Sequence, residues 1–475
     1  MNRSDFMVLP KPEGKQSDIL YLSEVDNIVV LGTAGSGKTT IALLRAMKMA
    51  ETYPDDKVLL LTYNRTLINY MEFILSNKPK NLVIENYHKF ARGYLNSRGK
   101  MKHNCILNSK NELIQEAVNA VKKIYPNETT LDRHIDIFID EIEWIQKMGI
   151  SNKNAYIKVE RTGRSDTRIL RKNRPFFYEV FEKYLDLRNE NGYLYDWDSL
   201  ALAICEEAKY DDMERYYKYI LIDEGQDFSP MMLKSLSLLV PDDGSINFFG
   251  DAAQQIYGSR ISWRSAGLDN VKIYKLRKNY RNKSGVGKLA KAISELPFFE
   301  MDDNDKVDSI VPIAEGPKPI VMKVKNIEEE IDFVANLVSG SDSSRTVAVL
   351  LKTREDVRII EDTFTSKGIK YTTLKKDMNK WNGNDSIYIG TYHSAKGLEF
   401  DIVILPFMSD KFMPTEEEIE KYGSKDDALS EEVKLIYVSV TRAKAGVIIT
   451  YFEELTELLP TDENLYDWRI GNDRI

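Results

Sequence analysis

Residues 27–50, NIVVLGTAGSGKTTIALLRAMKMA, pass from a β-branched apolar run through a glycine-rich turn into a continuous helical pattern. Within them GTAGSGKT at 32–39 fits G-x-x-x-x-G-K-[ST] without a gap. Few local folds accept that spacing: a buried strand delivers the loop, a helix leaves it, and glycines let backbone N–H groups converge on an anion. Gly32, Gly35 and Gly37 supply the curl around Ser36. Lys38 brings a flexible cation for the β- and γ-phosphates, and Thr39 offers a hydroxyl to Mg²⁺. The expectation is a nucleoside-triphosphate site; the loop alone does not say what hydrolysis drives.

The surrounding pattern predicts more than one parallel sheet. DDKVLLLTYN at 55–64 and NLVIENYH at 81–88 read as buried strands of a three-layer α/β unit. From 89 to 190 charged, broken helical segments dominate, with no buried strand, which reads as a helical insertion. Strand candidates return in YKYILIDEGQD (217–227) and SINFFGDAAQ (245–254), and a second α/β run follows in RTVAVLLKT, KGIKYTTL, DSIYIGTYHSAKGLEFDIVILPF and AGVIIT. The expected organisation is a first unit at 1–88 and 191–273, an insertion at 89–190, and a second parallel-sheet unit at 274–475.

Charge then limits the partners. The 475 residues hold 66 Lys+Arg against 74 Asp+Glu, a net charge of -8, which excludes a uniformly basic chain held on nucleic acid by bulk charge. A local excess exists between 147 and 174, with nine basic and two acidic residues. It reads either as a duplex-facing surface or as a solvated basic face. Two cysteines, Cys105 and Cys205, and four scattered histidines suit neither a disulfide scaffold nor a zinc cluster. No apolar run of membrane length occurs, so a soluble, cytoplasmic protein without a membrane partner is expected.

Two further strand ends carry chemistry. IDEGQD at 222–227 closes an apolar run, where adjacent acids are costly unless a cation or solvent meets them. Asp223 suits Mg²⁺ through water, and Glu224 suits orienting and deprotonating an attacking water; the alternative is an acidic surface loop. In GDAAQQIY (250–257) the neutral amide of Gln254 suits contact with a γ-phosphate, the alternative being an ordinary strand-end turn.

GTAGSGKT, TYNRT (62–66), NYHKF (86–90), DEGQD (223–227), GDAAQQIY, LRKNYRNK, GTYHSAKGLEFDIVIL (390–405) and EEVKLIYVSVTRAK (431–444) occur in the order of superfamily 1 helicase motifs. The chain resembles UvrD/Rep/PcrA-type ATP-dependent DNA helicases over nearly its whole length. The resemblance implies an α/β fold of two RecA-like P-loop domains with a mostly helical insertion in the first, Mg-ATP between them, and single-stranded DNA across their top. It implies that Tyr280 stacks on adenine, that Arg281 and Arg442 reach the transferring phosphoryl group, that Glu399 takes a ribose hydroxyl, and that Gln16 contacts the base; a surface glutamine is the alternative for Gln16. Where relatives often carry arginine after GKT this chain has Thr40, which leaves one adenine face uncovered.

For the strand, the resemblance implies contacts from Tyr63, Tyr257 and Trp263 by stacking, and from His88, His393, Thr391 and Lys396. Core packing is the alternative for Trp263, and a buried hydrogen-bonded histidine for His88 and His393. The 110-residue interval from Arg281 to Thr391 leaves no comfortable room for the 2B subdomain of larger relatives. A compact 3′ to 5′ DNA helicase is therefore expected. A DNA-stimulated ATPase or nucleotide switch with weak unwinding, serving a repair or antiphage complex whose partner replaces 2B, is the other reading. RNA as substrate stays open.

Overall fold

The computed structural model describes residues 11–62, 68, 71–72, 75, 78–161, 169–251, 263, 266–268, 271–299, 310–312, 314–374, 385–422 and 424–471. Its first sheet is built from β1 (Ile28–Gly32), β2 (Val58–Thr62), β3 (Leu82–Asn86), β6 (Tyr219–Ile222), β7 (Ser245–Gly250) and β8 (Lys272–Leu276). These strands run parallel in the order β3-β2-β6-β7-β1-β8. The continuous apolar runs follow from burial on both faces. Along β1, Val29 and Leu31 enter one core with Leu200, Met232 and Leu236, while Ile28 and Val30 enter the opposite core with Ile41, Ala46 and Met49. The order β6-β7-β1 sets three strand ends side by side, and the chemistry collects there.

A second parallel sheet has the order β11-β12-β10-β13-β14-β9-β15. Its strands are β9 (Ile320–Val324), β10 (Val347–Leu351), β11 (Thr372–Thr373), β12 (Ile387–Thr391), β13 (Phe400–Leu405), β14 (Ala443–Phe452) and β15 (Asp467–Ile470). The same alternation holds: Ala348 and Leu350 of β10 face one core, Val347, Val349 and Leu351 the other. The expected fold class, two parallel-sheet RecA-like units with a helical insertion in the first, is thus the fold of the chain. No helix among the described residues is long and apolar enough to cross a membrane.

The insertion has its own core, in which Phe138 and Phe177 stack at 4.5 Å amid Ile114, Ile142 and Tyr184. Its expected limits need correction. Helix Tyr87–Ser97 buries Tyr87, Phe90, Ala91 and Leu95 in the core of the first sheet, so the insertion starts after it. Its base closes through a short parallel pair, β4 (Ile106–Leu107) with β5 (Tyr195–Asp196), which the helical pattern at 89–190 concealed. Likewise the boundary at 273 falls inside β8, which pairs with β1 through Leu276. At its far side, His134 and Asp136 face Lys352, Thr353, Phe407 and Glu418 of the second unit across a cavity of about 460 Å³.

Candidate functional site

The glycine loop leaves β1 and turns into helix Lys38–Thr52 with Gly35 at φ 73° and Gly37 at φ 83°. Both positions demand glycine twice over. The backbone is left-handed, and a β-carbon would lie 2.2 Å from Asn279 Oδ1 at Gly35 and 2.5 Å from Gln16 Nε2 at Gly37. Lys38 Nζ curls over the loop, donating to the carbonyls of Gly32 at 2.8 Å and Thr33 at 2.9 Å, with Asp251 Oδ2 at 3.3 Å. The hydroxyls of Thr33 and Ser36 are buried with no hydrogen-bond partner, while Thr39 and Thr40 are half-buried. A cradle of orphaned donors around one ammonium suits an anion of several oxygens.

Gln16 lies against this loop, its Nε2 donating to Ser36 O at 2.8 Å and its Oε1 accepting from the N–H of Glu13. The residue that anchors the Gln16 segment is one that sequence reasoning missed. Arg45, fully buried on the loop's helix, donates to the carbonyls of Ile19, Leu20, Leu22 and Ser23 and to Asn247 Oδ1 at 2.6 Å. Burial pushes its pKa down to about 10. It is a clamp between helix Lys15–Leu20 and β7, and nothing in a lone arginine on a helix face signals that.

Asp223 and Glu224 follow β6 directly. Asp223 is buried with Thr39 and the backbone of Glu224 beside its carboxylate, and burial, reinforced by the charge of Glu224, raises its pKa to about 7. Glu224 holds a left-handed backbone, φ 50°, which costs a non-glycine residue strain and re-aims its side chain. Burial works to raise its pKa, yet Arg442, Lys38 and Lys396 overcome that and keep it below the usual carboxylate range. Gln226 locks the corner, donating to Glu224 Oε2 while its own Oε1 accepts from the N–H of Asp251 at 2.9 Å. Asp251 was legible in principle, since it ends an apolar strand as Asp223 does.

The second sheet meets this corner by the opposite edge. Phe400 and Ala443 are register partners at the starts of β13 and β14, so the residues before them, Glu399 and Arg442, lie side by side. Arg442 is 1% exposed, and its Nε donates to Val438 O at 3.0 Å. Burial and the charge of Arg281 depress its pKa, while Glu224, Glu399 and Asp251 favour its charged form. Arg281 pairs with Glu399 at 2.5 Å. Tyr280 donates its N–H to Gly35 O at 2.9 Å and is 41% exposed, with the Lys278 ammonium over its ring at 4.7 Å. Residues from 16 to 442 thus converge on one cleft.

The strand-contact residues are more scattered. Thr391 ends β12, and His393 is exposed just beyond it, at the sheet edge opposite Glu399. His88 is half-buried, edge-on to Trp197 at 5.5 Å. One expectation is corrected. Lys396 is 4% exposed and ion-paired with Asp227, so it lies inside the cleft between the units rather than on a strand-facing surface. Trp263 is half-buried and edge-on to Phe248 at 4.7 Å beside the first core. Tyr63, Gln254 and Tyr257 lie outside the described residues.

Of the basic residues at 147–174, Arg164 and Arg168 lie outside the described residues, and four of the others have partners within the insertion. Lys147 pairs with Glu143 at 2.9 Å, Lys153 with Glu179 at 2.5 Å, and Arg174 donates to the carbonyls of Tyr156, Ile157 and Val159. Arg161 grips Glu141, which is fully buried and also accepts from Tyr156 Oη at 2.6 Å. Lys158, Arg171 and Lys172 remain exposed. Replacing Glu141 by Ala therefore destabilises the insertion by about 3–5 kcal/mol, because it strands a buried guanidinium. Hydrogen exchange in helices Ile135–Met148 and Arg174–Glu190 reads that loss, and unchanged protection contradicts it.

Comparison with known proteins agrees with this geometry. Residues 14–280 match the UvrD/REP helicase N-terminal domain, and residues 369–454 match the UvrD-like helicase C-terminal domain. The chain is 24% identical over 455 residues to a probable DNA helicase of Mycoplasma pneumoniae, covering 88% of this chain and 79% of that one. It is 27% identical over 373 residues to YjcD of Bacillus subtilis, a candidate ATP-dependent DNA helicase, covering 73% of this chain and 46% of that one. A strand-ending phosphate loop and a paired-acid corner in the first matched domain, with the buried Arg442 of the second, leave one assignment: the chain belongs to the UvrD/REP helicase family.

Proposed function

We propose that the chain is an ATP-driven motor that moves 3′ to 5′ along single-stranded DNA and opens duplex ahead of it. One observation carries the reading: the buried Arg442 of the second unit shares an electrostatic environment with Glu224 and Asp251 of the first. A triphosphate on the glycine loop is then held from both sides, and its cleavage changes the force between the units.

The site fits magnesium nucleotide chemistry. Asp223 offers a buried carboxylate beside Thr39, and the loop offers two orphaned hydroxyls. Thr39 and Asp223 would hold Mg²⁺, which when bound neutralises charge on the phosphate oxygens. Gly32, Gly35, Ser36, Gly37 and Lys38 take the phosphates, Gln16 and Tyr280 the base, and Thr40 lines the helix start beside them. Glu224, kept ionised by three cations, orients the attacking water and receives its proton. Arg281 leaves Glu399 for the phosphoryl oxygens, which frees Glu399 for a ribose hydroxyl, and Arg442 meets the same developing charge. Gln254 is assigned to sensing the γ-phosphate.

Strand contacts fall to Thr391 and His393 at the end of β12, with His88, Tyr63 and Tyr257 on the first unit. The interval between Arg281 and Thr391 supports a compact form without 2B: helices Ser284–Ser294, Ile327–Ser339 and Arg354–Ser366 and strands β9 to β12 lie in its described part. That favours a second reading, a strand-stimulated ATPase that unwinds weakly until a partner supplies the missing function. Strand displacement on 3′-tailed and 5′-tailed duplexes, with an RNA-tailed control, separates them. We expect ATP-dependent opening of the 3′-tailed DNA; opening of only the 5′-tailed duplex reverses the polarity. Hydrolysis stimulated by single strands without any opening selects the second reading.

A further inference from the structure

Residues 279–283 form a rigid turn whose two sides touch different units. On one side Tyr280 N donates to Gly35 O at 2.9 Å, and Asn279 Oδ1 presses on the same glycine so closely that no side chain fits there. Asn279 Oδ1 also accepts from the backbone N–H of Arg281 at 3.0 Å and of Asn282 at 3.1 Å. Its amide then donates to Asn282 Oδ1 at 2.7 Å. That contact fixes which way the Asn282 amide points.

Asn282 is 2% exposed, and its Nδ2 donates to the backbone carbonyls of Thr441 and Ala443. Those are the two residues that flank Arg442. Lys283 N extends the attachment, donating to Lys444 O at 2.8 Å. A side-chain amide is the chemistry this position needs, because it must accept on one side and donate to two carbonyls on the other. No feature of LRKNYRNK distinguishes this second asparagine.

We propose that Asn282 is a positioning residue that fastens the backbone of Arg442 to the glycine loop, so that movement of the loop reaches the guanidinium through one turn. The inference rests on the ATP-hydrolysing reading above. On its own helix the Nε of Arg442 donates to Val438 O, with a longer contact to Thr441 Oγ1. Its backbone lies just before β14, so the place where that start is anchored sets the approach of the guanidinium to the nucleotide.

The test uses the full chain with Asn282→Asp and Asn282→Ala. The first presents only acceptors to two carbonyls; the second removes the contact, and it carries the test if the first does not fold. Steady-state ATP hydrolysis with an oligothymidylate strand and titration with a fluorescent ATP analogue give the two readouts. We expect kcat to fall about 10- to 100-fold, the scale of a small misplacement, while analogue affinity and KM stay close to those of the parent. In an Arg442→Ala background the further loss should vanish, since nothing is left to position. Unchanged kcat in the single variants, or losses that multiply in the double variant, overturns the inference. A parent chain that hydrolyses no ATP refutes the underlying reading instead, before any variant is made, and takes this one with it.

Discussion

Glu224→Gln leaves nucleotide binding nearly intact and lowers ATP turnover at least about 100-fold. The substitution is close to isosteric, so the left-handed corner at φ 50° and the packing around it are retained. What it removes is the charge that Arg442, Lys38 and Lys396 together stabilise against burial. A carboxylate held below its usual pKa by three cations stays ionised through the neutral range, which is the state a base must hold before water attacks. The amide cannot accept the proton. It also relieves the like-charge repulsion on Asp223, so the pKa of that group falls from about 7 and its readiness to meet a cation improves. Affinity for a fluorescent ATP analogue in magnesium should therefore hold or rise while steady-state hydrolysis collapses. Near-normal turnover in this variant removes Glu224 from the base role, and loss of binding instead would make the corner a structural element.

What was legible in the sequence follows from how local each feature is. The glycine loop is eight consecutive residues between a strand and a helix, so its conformation and its chemistry are written in one window. Asp223 and Glu224 follow an apolar run for the same reason, and the two-sheet fold follows from runs buried on both faces. Non-local pairing was not legible. The resemblance gave Lys396 a strand contact; its partner Asp227 stands 169 positions earlier, and both are buried where the two units meet. Part of the basic excess at 147–174 has partners that composition does not show. Charge counts carry no direction, and Lys147, Lys153, Arg161 and Arg174 turn inward to carboxylates and carbonyls of the insertion itself. Insertion limits were missed at Tyr87–Ser97 because an amphipathic helix shows that it has a buried face without showing which core receives it.

Arg442→Ala lowers kcat about 1,000-fold, the effect of losing an arginine that stabilises a phosphoryl-transfer transition state. This side chain is 1% exposed, and its charged form is favoured by three carboxylates, Glu224, Glu399 and Asp251. Its removal therefore has two consequences that a lysine variant separates. First, the developing charge on the phosphoryl oxygens loses a planar donor, which lysine does not replace because it lacks the fork geometry. Second, Glu224 loses the strongest of the cations that depress its pKa, so burial regains ground and the pKa rises. The base form is then lost at a higher pH than in the parent, and the acidic limb of the pH–rate profile moves upward. Arg442→Lys restores the nearby charge: its acidic limb should stay near that of the parent while kcat remains low. Rate against pH for the two variants, alongside analogue binding to establish that the cleft still loads, distinguishes the roles. If both limbs stay where the parent has them, Arg442 does not tune Glu224; if Lys restores kcat, a point charge suffices and the fork is not what the second unit contributes.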